Sequence, residues 1–449
     1  MSLILLFLIA LMGITLRLVI RSRKIDSILA WSIIFYCLMW IITPGLSILL
    51  LDAFAKEYGS VLTSDFVEFY ALESLMVSGV IMVFLRSKLR NQPEKVGPIV
   101  RKKTFFPLAV IYFFWIIQNI LTQSTDYQAN NDLSLAVASN SAGVFTLLYA
   151  LLGAFFTYIA LKAQKGLILY VSLGLILLSV VQSVLTGSRI PMMWPLFIFI
   201  FRFWGPIKAS LFARSVRRRI IIVVAVPVIF LGIMAMSALI GSTRSKQSLL
   251  DVEWDFESFN SIVLIQNLYS KFNSFSTGIQ LINGYGSGTA GYKPYIGSLF
   301  YFVPRFIYPN KPIAGSVDDT YFGTPARLVP ALDNPNDTIN NRGVSPLAIS
   351  IWHWGWIGGM FAFLLGGLIT LRLLNYLLNS NLLFFKTMGI FLIPIPIFIN
   401  VFPSPDVALK HASLIGLILF LTMFGKILLR NMPRRKIGSV SDAVSVVKH

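Results

Sequence analysis

The sequence predicts an all-α polytopic membrane protein with about 11 transmembrane helices and one long loop. Of its 449 residues, 56% are hydrophobic and only 13% are charged, and the mean hydropathy is +0.75. Continuous apolar runs of about 20 residues, the length that crosses a hydrocarbon core of about 30 Å, recur along the whole chain. Because these runs do not alternate with polar residues, they indicate helices, and the composition excludes a set of soluble domains.

The first apolar run is predicted to be a retained helix, because it lacks the basic start and the small-residue cleavage site of a signal peptide. The single cysteine, Cys37, lies inside the second run, which excludes an intrachain disulfide and disfavours a thiolate metal site. The predicted spans, in chain order, are residues 2–20, 27–51, 66–85, 104–122, 142–161, 167–186, 190–204, 220–240, 346–371, 387–402 and 412–429.

The formal net charge of +19 is distributed by side of the membrane. In this topology the connections on one face, counted together with Arg17 near the end of the first span, hold 27 of the 38 Lys and Arg but only 3 of the 19 Asp and Glu. By the positive-inside rule that face is cytoplasmic, so the N-terminus is outside and the C-terminus inside. The basic excess is therefore an orientation signal that suits anionic membrane lipids, and no nucleic-acid partner is expected.

This topology divides the chain into four regions, of which the second is a loop of about 105 residues on the periplasmic side. Residues 256–283 place aromatic and aliphatic side chains near helical spacing, which predicts a helix along the membrane surface. A connection of this length is functional or disordered, and this one is too aromatic for disorder. The regions are an N-terminal transmembrane bundle (1–240), the long loop (241–345), C-terminal transmembrane helices (346–430) and a basic cytoplasmic tail (431–449).

Two arginines in similar turns are candidate ligands for an anionic group. Arg189 lies in "VLTGSRIPMM", between two predicted spans, and Arg244 lies in "ALIGSTRSK" at the outer end of the eighth span. Paired guanidinium groups there can hold a pyrophosphate at the level of the headgroups. The alternative is that each arginine extends to phospholipid phosphates.

Three further residues are candidate acids or bases. His353 lies in "SIWHWGWIGG" among three tryptophans, where it is either a general base or a snorkelling imidazole within an aromatic belt. Asp318 and Asp319 lie in "GSVDDTYFG", and a turn with aspartate caps is the alternative to a catalytic role. Their spacing does not match a metal-binding DxD motif, so no metal is expected.

The motifs "FVPRFIYPNKP" in the long loop and "GVSPLAISIWHWGWIGG" at the start of the next helix, together with the span count, resemble the Wzy-type O-antigen polymerases, also called oligosaccharide repeat unit polymerases. The resemblance covers the whole topology and is carried by short motifs. It implies a glycosyltransferase of the GT-C class in the bacterial inner membrane. Such an enzyme joins undecaprenyl-pyrophosphate-linked repeat units at the periplasmic face, without metal or nucleotide.

The resemblance also implies roles for individual residues. Arg305 and Lys311 are expected to contact the pyrophosphate of the donor or the acceptor, and the neighbouring prolines lower the cost of ordering this part of the loop. Arg189 and Arg244 match the arginines expected in two outer loops. Arg342 is a further candidate substrate contact at the end of the long loop.

One departure separates this chain from the related O-antigen ligases. In those enzymes a histidine and a small polar residue precede a GxxG motif at a fixed spacing, and the corresponding positions here are Val344 and Ser345. The ligase base is missing, which favours a polymerase and leaves the base open among Asp318, Asp319, His353 or none of them. A ligase-like glycosyltransferase and a lipid-linked oligosaccharide flippase are the alternatives. Whether a chain-length regulator is a further partner stays open.

Overall fold

The described part of the protein is all-helical. The part of the chain that the structure describes contains eight bounded α-helices: α1 (Ser2–Arg21), α2 (Ser27–Cys37), α3 (Ser64–Arg86), α4 (Lys102–Asp126), α5 (Ala142–Lys162), α6 (Leu167–Thr186), α7 (Pro346–Leu378) and α8 (Leu383–Leu392). A single π-helical turn, Leu38–Ile42, continues α2. The structure is a computed structural model that describes residues 2–22, 25–42, 45–46, 49, 64–87, 102–126, 142–162, 166–186, 198, 278–279, 281–283, 286–288, 308, 345–380 and 383–392.

Five of the predicted spans coincide with helices to within four residues at each end: 2–20, 66–85, 104–122, 142–161 and 167–186. Helices α2 and α7 begin at residues 27 and 346, where their spans were predicted to begin. The predicted spans 190–204, 220–240 and 412–429 lie outside the described residues, apart from Ile198. Two C-terminal boundaries differ: α7 continues to Leu378, and α8 begins four residues before the predicted 387–402. Of the predicted surface helix, the described residues 278–279 and 281–283 are helical.

Three of the described helices are long and apolar enough to cross a membrane: Leu3–Arg21, Val67–Arg86 and Pro346–Leu378. Helix α1 shows the pattern of a membrane helix, because its buried and its exposed faces are both apolar. Leu5, Leu8 and Met12 form the buried face, whereas Leu3 is 81% exposed and Phe7 65% exposed. Apolar side chains on the outer face gain nothing in water but suit a lipid environment. These helices support a membrane protein.

The helices form two packed groups that share α8. Helix α3 packs against α1 and α7, and α2 contacts both α1 and α7. In the second group α6 packs against α4 and α5. Helix α8 contacts α7 on one side and α5 on the other.

Aromatic and polar side chains fill the contact between α4, α5 and α6. The ring of Tyr112 stacks on Phe156 at a centroid distance of 5.2 Å and lies at the same distance from the ring of Tyr149. The hydroxyl of Tyr149 donates a hydrogen bond to the amide oxygen of Gln182 on α6. All four side chains are buried. Hydrogen bonds of this kind hold helices together where lipid removes the hydrophobic driving force for their association.

Candidate functional site

The site begins where the long loop ends and α7 starts. Ser345 is the N-cap of α7, and its hydroxyl oxygen accepts a hydrogen bond from the backbone N–H of Ala348 at 3.2 Å. Pro346 occupies the first helical position, where its missing N–H costs nothing. The sequence Ser-Pro therefore specifies the start of the helix locally, and the helix begins at residue 346, as predicted.

Helix α7 is broken, which corrects the prediction of one continuous span over 346–371. Gly355 has a φ of 73° and a ψ of 179°, a conformation that L-residues other than glycine rarely adopt. A Cβ added at Gly359 would lie 2.5 Å from the Cα of Ile351, although these residues are eight apart and would be about 12 Å apart in a straight helix. The chain therefore bends sharply at Gly355 into two helices, α7a (residues 346–354) and α7b (residues 356–378).

The two parts of α7 lie in different surroundings. Every residue from Ser345 to His353 is buried, so α7a is enclosed as far as His353. Helix α7b exposes large apolar side chains: Ile357 is 83% exposed and Phe361 71% exposed. With 23 residues, α7b extends over about 35 Å and is long enough to cross a bilayer. We infer that α7b is the lipid-facing span and that α7a lies in the protein interior.

A segment of the long loop lies against both ends of α7a. At the first end, a Cβ added to Gly278 would lie 2.7 Å from the Cβ of Ala348 and 3.2 Å from that of Ser345. At the other end, the backbone N–H of Gly288 donates a hydrogen bond of 3.0 Å to the carbonyl of Ile351. A Cβ at Gly288 would also lie 3.3 Å from the backbone nitrogen of Gly355. Glycine at 278 and 288 is thus required for the loop to contact the half-helix closely.

A buried carboxyl group meets the start of α7a. Glu73 lies on α3 about 14 Å along the helix from Ser64 and about 20 Å from Arg86, and its side chain is 1% exposed. The hydroxyl of Ser345 donates a hydrogen bond to the Glu73 carboxyl. The N-terminus of a helix attracts negative charge, which offsets part of the cost of burying this carboxyl group.

Two phenol groups complete the surroundings of Glu73. Tyr36 on α2 and Tyr70 on α3 are buried and lie near enough to the Glu73 carboxyl to interact with it electrostatically. The hydroxyl of Tyr70 donates a hydrogen bond of 2.7 Å to the carbonyl of Ile41 in the π-helical turn. Gly45 packs so closely against this hydroxyl that a Cβ there would lie 2.4 Å from it. The carboxyl group is thus enclosed by α2, α3 and the start of α7a.

His353 lies at the other end of α7a and is only 2% exposed. Its ring is tilted against that of Trp352 at a centroid distance of 5.3 Å, and Trp352 is buried as well. Trp354 and Trp356 are 45% and 46% exposed, as side chains of an aromatic belt would be. The four residues therefore divide into two kinds: the tryptophans at 354 and 356 face outwards, whereas His353 and Trp352 face the protein.

The remaining predicted site residues belong to other parts of the chain. Tyr308 is described within the stretch "PRFIYPNKP" and is exposed. The candidates Arg189, Arg244, Arg305, Lys311, Asp318, Asp319 and Arg342 lie outside the described residues.

Glu73 is absent from the residues predicted to form the site, although the sequence contains a signal for it. In the predicted span 66–85, "FVEFYALESLMVSGVIMVFL", it is one of two acidic residues in a mostly apolar stretch, and it lies nearer the middle of the span than Glu68. An ionisable side chain at such a depth is expensive, about 2.5–3.5 kcal/mol on insertion scales, and it marks a functional position by default. Its partner Ser345 could not be inferred in the same way, because a serine before a proline at a helix start has a sufficient local explanation.

Among the described residues, no group of three His, Cys, Asp or Glu side chains could hold a metal ion. The cluster around Glu73 offers one carboxyl group with hydroxyl and phenol neighbours. Such a set can exchange a proton or orient a hydroxyl group.

Comparison of the chain with protein-family models, with curated proteins and with solved structures gave no match.

Proposed function

We propose that this chain is a membrane-embedded glycosyltransferase of the bacterial inner membrane that polymerises lipid-linked oligosaccharide repeat units at the periplasmic face. The proposal is supported by the motifs that resemble the O-antigen polymerases and by the helical, membrane-type character of the described residues. Its substrates are two undecaprenyl-pyrophosphate-linked glycans, and it requires neither metal nor nucleotide.

The observation that carries the proposal is the contact between the long loop and α7a. The loop segment contacts α7a at Gly278 and again at Gly288. The second contact lies at the last helical turn of α7a, which contains His353. The two contacts fix this part of the loop against a buried helix. An enzyme for substrates anchored in the bilayer must bring residues of a loop and residues of the bundle to one place, and this contact does so.

In the proposed reaction an acceptor sugar hydroxyl attacks the anomeric carbon of the donor glycan. The new glycosidic C–O bond forms while the bond from the anomeric carbon to the pyrophosphate breaks, and the pyrophosphate leaves with the electron pair. The hydroxyl proton passes to a base, for which His353, Asp318 and Asp319 are the candidates. Positive charges stabilise the leaving group, and guanidinium forks suit it because they bind phosphate oxygens bidentately. The candidate cations are Arg189, Arg244, Arg305, Lys311 and Arg342.

The test is the lipopolysaccharide of a strain that lacks this chain and is complemented with variants. The strain without the chain should show core capped with a single repeat unit and no ladder. Arg305→Ala should give the same pattern, because loss of one charge-assisted contact in the transition state costs roughly 3–4 kcal/mol, or about 10²- to 10³-fold in rate. Arg327→Ala, a change of the same type in the same loop, is the control and should keep the ladder. A normal ladder in the strain without the chain would refute the proposal.

A transporter of lipid-linked glycans is the second candidate, and the structure contains an observation in its favour. Broken helices with buried polar groups at their ends are typical of secondary transporters, and α7 is broken at Gly355 with Glu73 at the start of its first half. Loss of a flippase leaves repeat units on the cytoplasmic leaflet, so the single-unit band would vanish together with the ladder. Loss of a ligase would leave uncapped core while lipid-linked polymer accumulates. The three functions therefore give three different patterns.

A further inference from the structure

We propose that Glu73 is a positioning residue which, through Ser345, fixes the start of α7a and the end of the long loop against α3. The inference rests on the proposed function for its activity readout, and it assigns a role to a residue of the helical bundle. Glu73 and Ser345 are 272 residues apart in sequence and are both buried.

The hydrogen bonds of Ser345 form a chain with a defined direction. Its hydroxyl has one proton to donate and lone pairs to accept. The proton goes to the Glu73 carboxyl, and a lone pair accepts from the backbone N–H of Ala348. An acceptor at Glu73 therefore keeps the hydroxyl oriented as an N-cap, whereas without it the hydroxyl is free to turn its proton elsewhere. Glu73 thus acts on the first turn of α7a without touching its backbone.

A displacement of Ser345 would affect the candidate substrate contact at the end of the long loop. Arg342, outside the described residues, precedes Ser345 by three residues, and three residues span about 11 Å at most. Gly278, from the other part of the long loop, lies against Ser345 and Ala348 and against the ring of Phe69, which is on α3 four residues before Glu73. Displacement of Ser345 therefore disturbs two stretches of the loop together. A misplacement of about 1 Å in such a framework costs up to about 10²-fold in rate.

Ser350 on α7a and Glu68 on α3 provide matched controls for the substitutions of Ser345 and Glu73. Ser350 is as buried as Ser345, but its hydroxyl donates to the carbonyl of Pro346 within α7a and not to Glu73. Glu68 lies on α3, five residues before Glu73, and is exposed. Ser350→Ala and Glu68→Gln should leave the ladder unchanged, because neither change reaches the contact between α3 and α7a.

The experiment compares Glu73→Gln, Glu73→Asp, Ser345→Ala and the double variant Glu73→Asp/Ser345→Ala in the strain that lacks the chain. Polymer made per unit of protein is measured together with the SDS concentration that half-unfolds the purified protein in micelles. We expect Ser345→Ala and Glu73→Asp to reduce polymerisation about 10- to 100-fold. Glu73→Gln keeps the length of the side chain and an acceptor oxygen, so it should retain more activity than Glu73→Asp. The double variant should be no worse than Ser345→Ala alone.

Each alternative has its own outcome. Higher activity in Glu73→Asp than in Glu73→Gln would show that charge and not position matters, and would overturn the proposal. Multiplied losses in the double variant would show that the two residues act independently. Activity losses that merely follow the loss of protein or of SDS resistance would reduce Glu73 to a structural residue. If the ladder persists in the strain without the chain, the proposed function fails; if only the Glu73 and Ser345 variants keep it, the positioning role alone fails.

A second measurement does not depend on activity. A reporter cysteine is introduced at Leu281, a buried residue of the loop segment three residues after Gly278, in a background with Cys37→Ala. It is labelled in membranes with an impermeant maleimide, and its rate of reaction is compared with and without Ser345→Ala. Positioning by Ser345 and Glu73 requires the rate to rise in Ser345→Ala and in Glu73→Ala, and to stay unchanged in Ser350→Ala. Equal rates in all of these proteins would overturn the proposal.

Discussion

Substitution of Gly355 by alanine tests the break in α7 directly. A Cβ at this position would meet no atom within 4 Å, so the substitution introduces backbone strain without a clash. With φ at 73° and ψ at 179°, the residue lies in a region that is essentially restricted to glycine, and alanine there costs about 1–3 kcal/mol. This corresponds to a decrease of roughly 5- to 150-fold in the equilibrium constant between folded and unfolded protein.

The effect of backbone strain in Gly355→Ala can be separated from the general effect of replacing a glycine by alanine. Gly79 lies within α3, and a Cβ there would also meet no atom within 4 Å. Gly79→Ala removes a flexible residue from a helix and should leave the protein unchanged or stabilise it by about 0.5–1 kcal/mol. Gly359→Ala should be more harmful than Gly355→Ala, because its Cβ would lie 2.5 to 2.7 Å from the backbone of Ser350 and Ile351.

The assay is SDS-induced unfolding in mixed micelles, monitored by tryptophan fluorescence, for the wild type and the three variants. We expect the order of stability Gly79→Ala, Gly355→Ala, Gly359→Ala, from the highest to the lowest. If Gly355→Ala were as stable as Gly79→Ala, the chain at 355 would be an ordinary helix, α7 would be one continuous span, and the argument that α7a is an interior half-helix would be refuted.

Three further predictions test the topology, the arginines and the contact between α5 and α6. A cysteine introduced at Asn336 should react with an impermeant thiol reagent from the periplasm and one at Gln92 should not; the reverse pattern would place the long loop in the cytoplasm. Arg189→Ala and Arg244→Ala should each abolish polymer at normal protein levels, and lysine should restore only part of it because it lacks the bidentate fork; full activity of both alanine variants would leave the arginines as lipid anchors. Tyr149→Phe should lower the stability measured by SDS unfolding by about 0.6 kcal/mol, the average for a hydrogen bond between membrane helices, and a variant as stable as the wild type would show that the bond to Gln182 contributes nothing.

The positions of helices were largely predictable because they depend on local properties of the chain. A segment such as residues 142–161 is helical because about 20 consecutive apolar residues must satisfy their backbone hydrogen bonds internally in a membrane. The start of α7 was predictable for a local reason as well, since Ser345 and Pro346 specify a helix N-terminus by themselves. Hydropathy averaged over a window does not detect a positive φ, and for this reason the break at Gly355 was missed.

The candidate site was less predictable because it depends on residues distant in sequence. His353 was selected from its chemistry, but whether it faced lipid with the tryptophans or the protein interior depended on the bend at Gly355. Glu73 could have been selected as an acidic residue well inside a predicted span. Its neighbour could not, because 272 residues separate it from Ser345.

The sequence by itself determined that this is a helical membrane protein and where most of its described helices begin. These properties follow from the transfer of each segment between water and lipid, which is nearly additive along the chain. Only the tertiary structure decided that α7 is two helices, that the long loop returns to the first of them, and that Glu73 bonds to its N-cap. Those features require a backbone conformation and contacts that exist only when α2, α3 and α7 are packed together. They therefore cannot be obtained by adding the transfer free energies of individual segments.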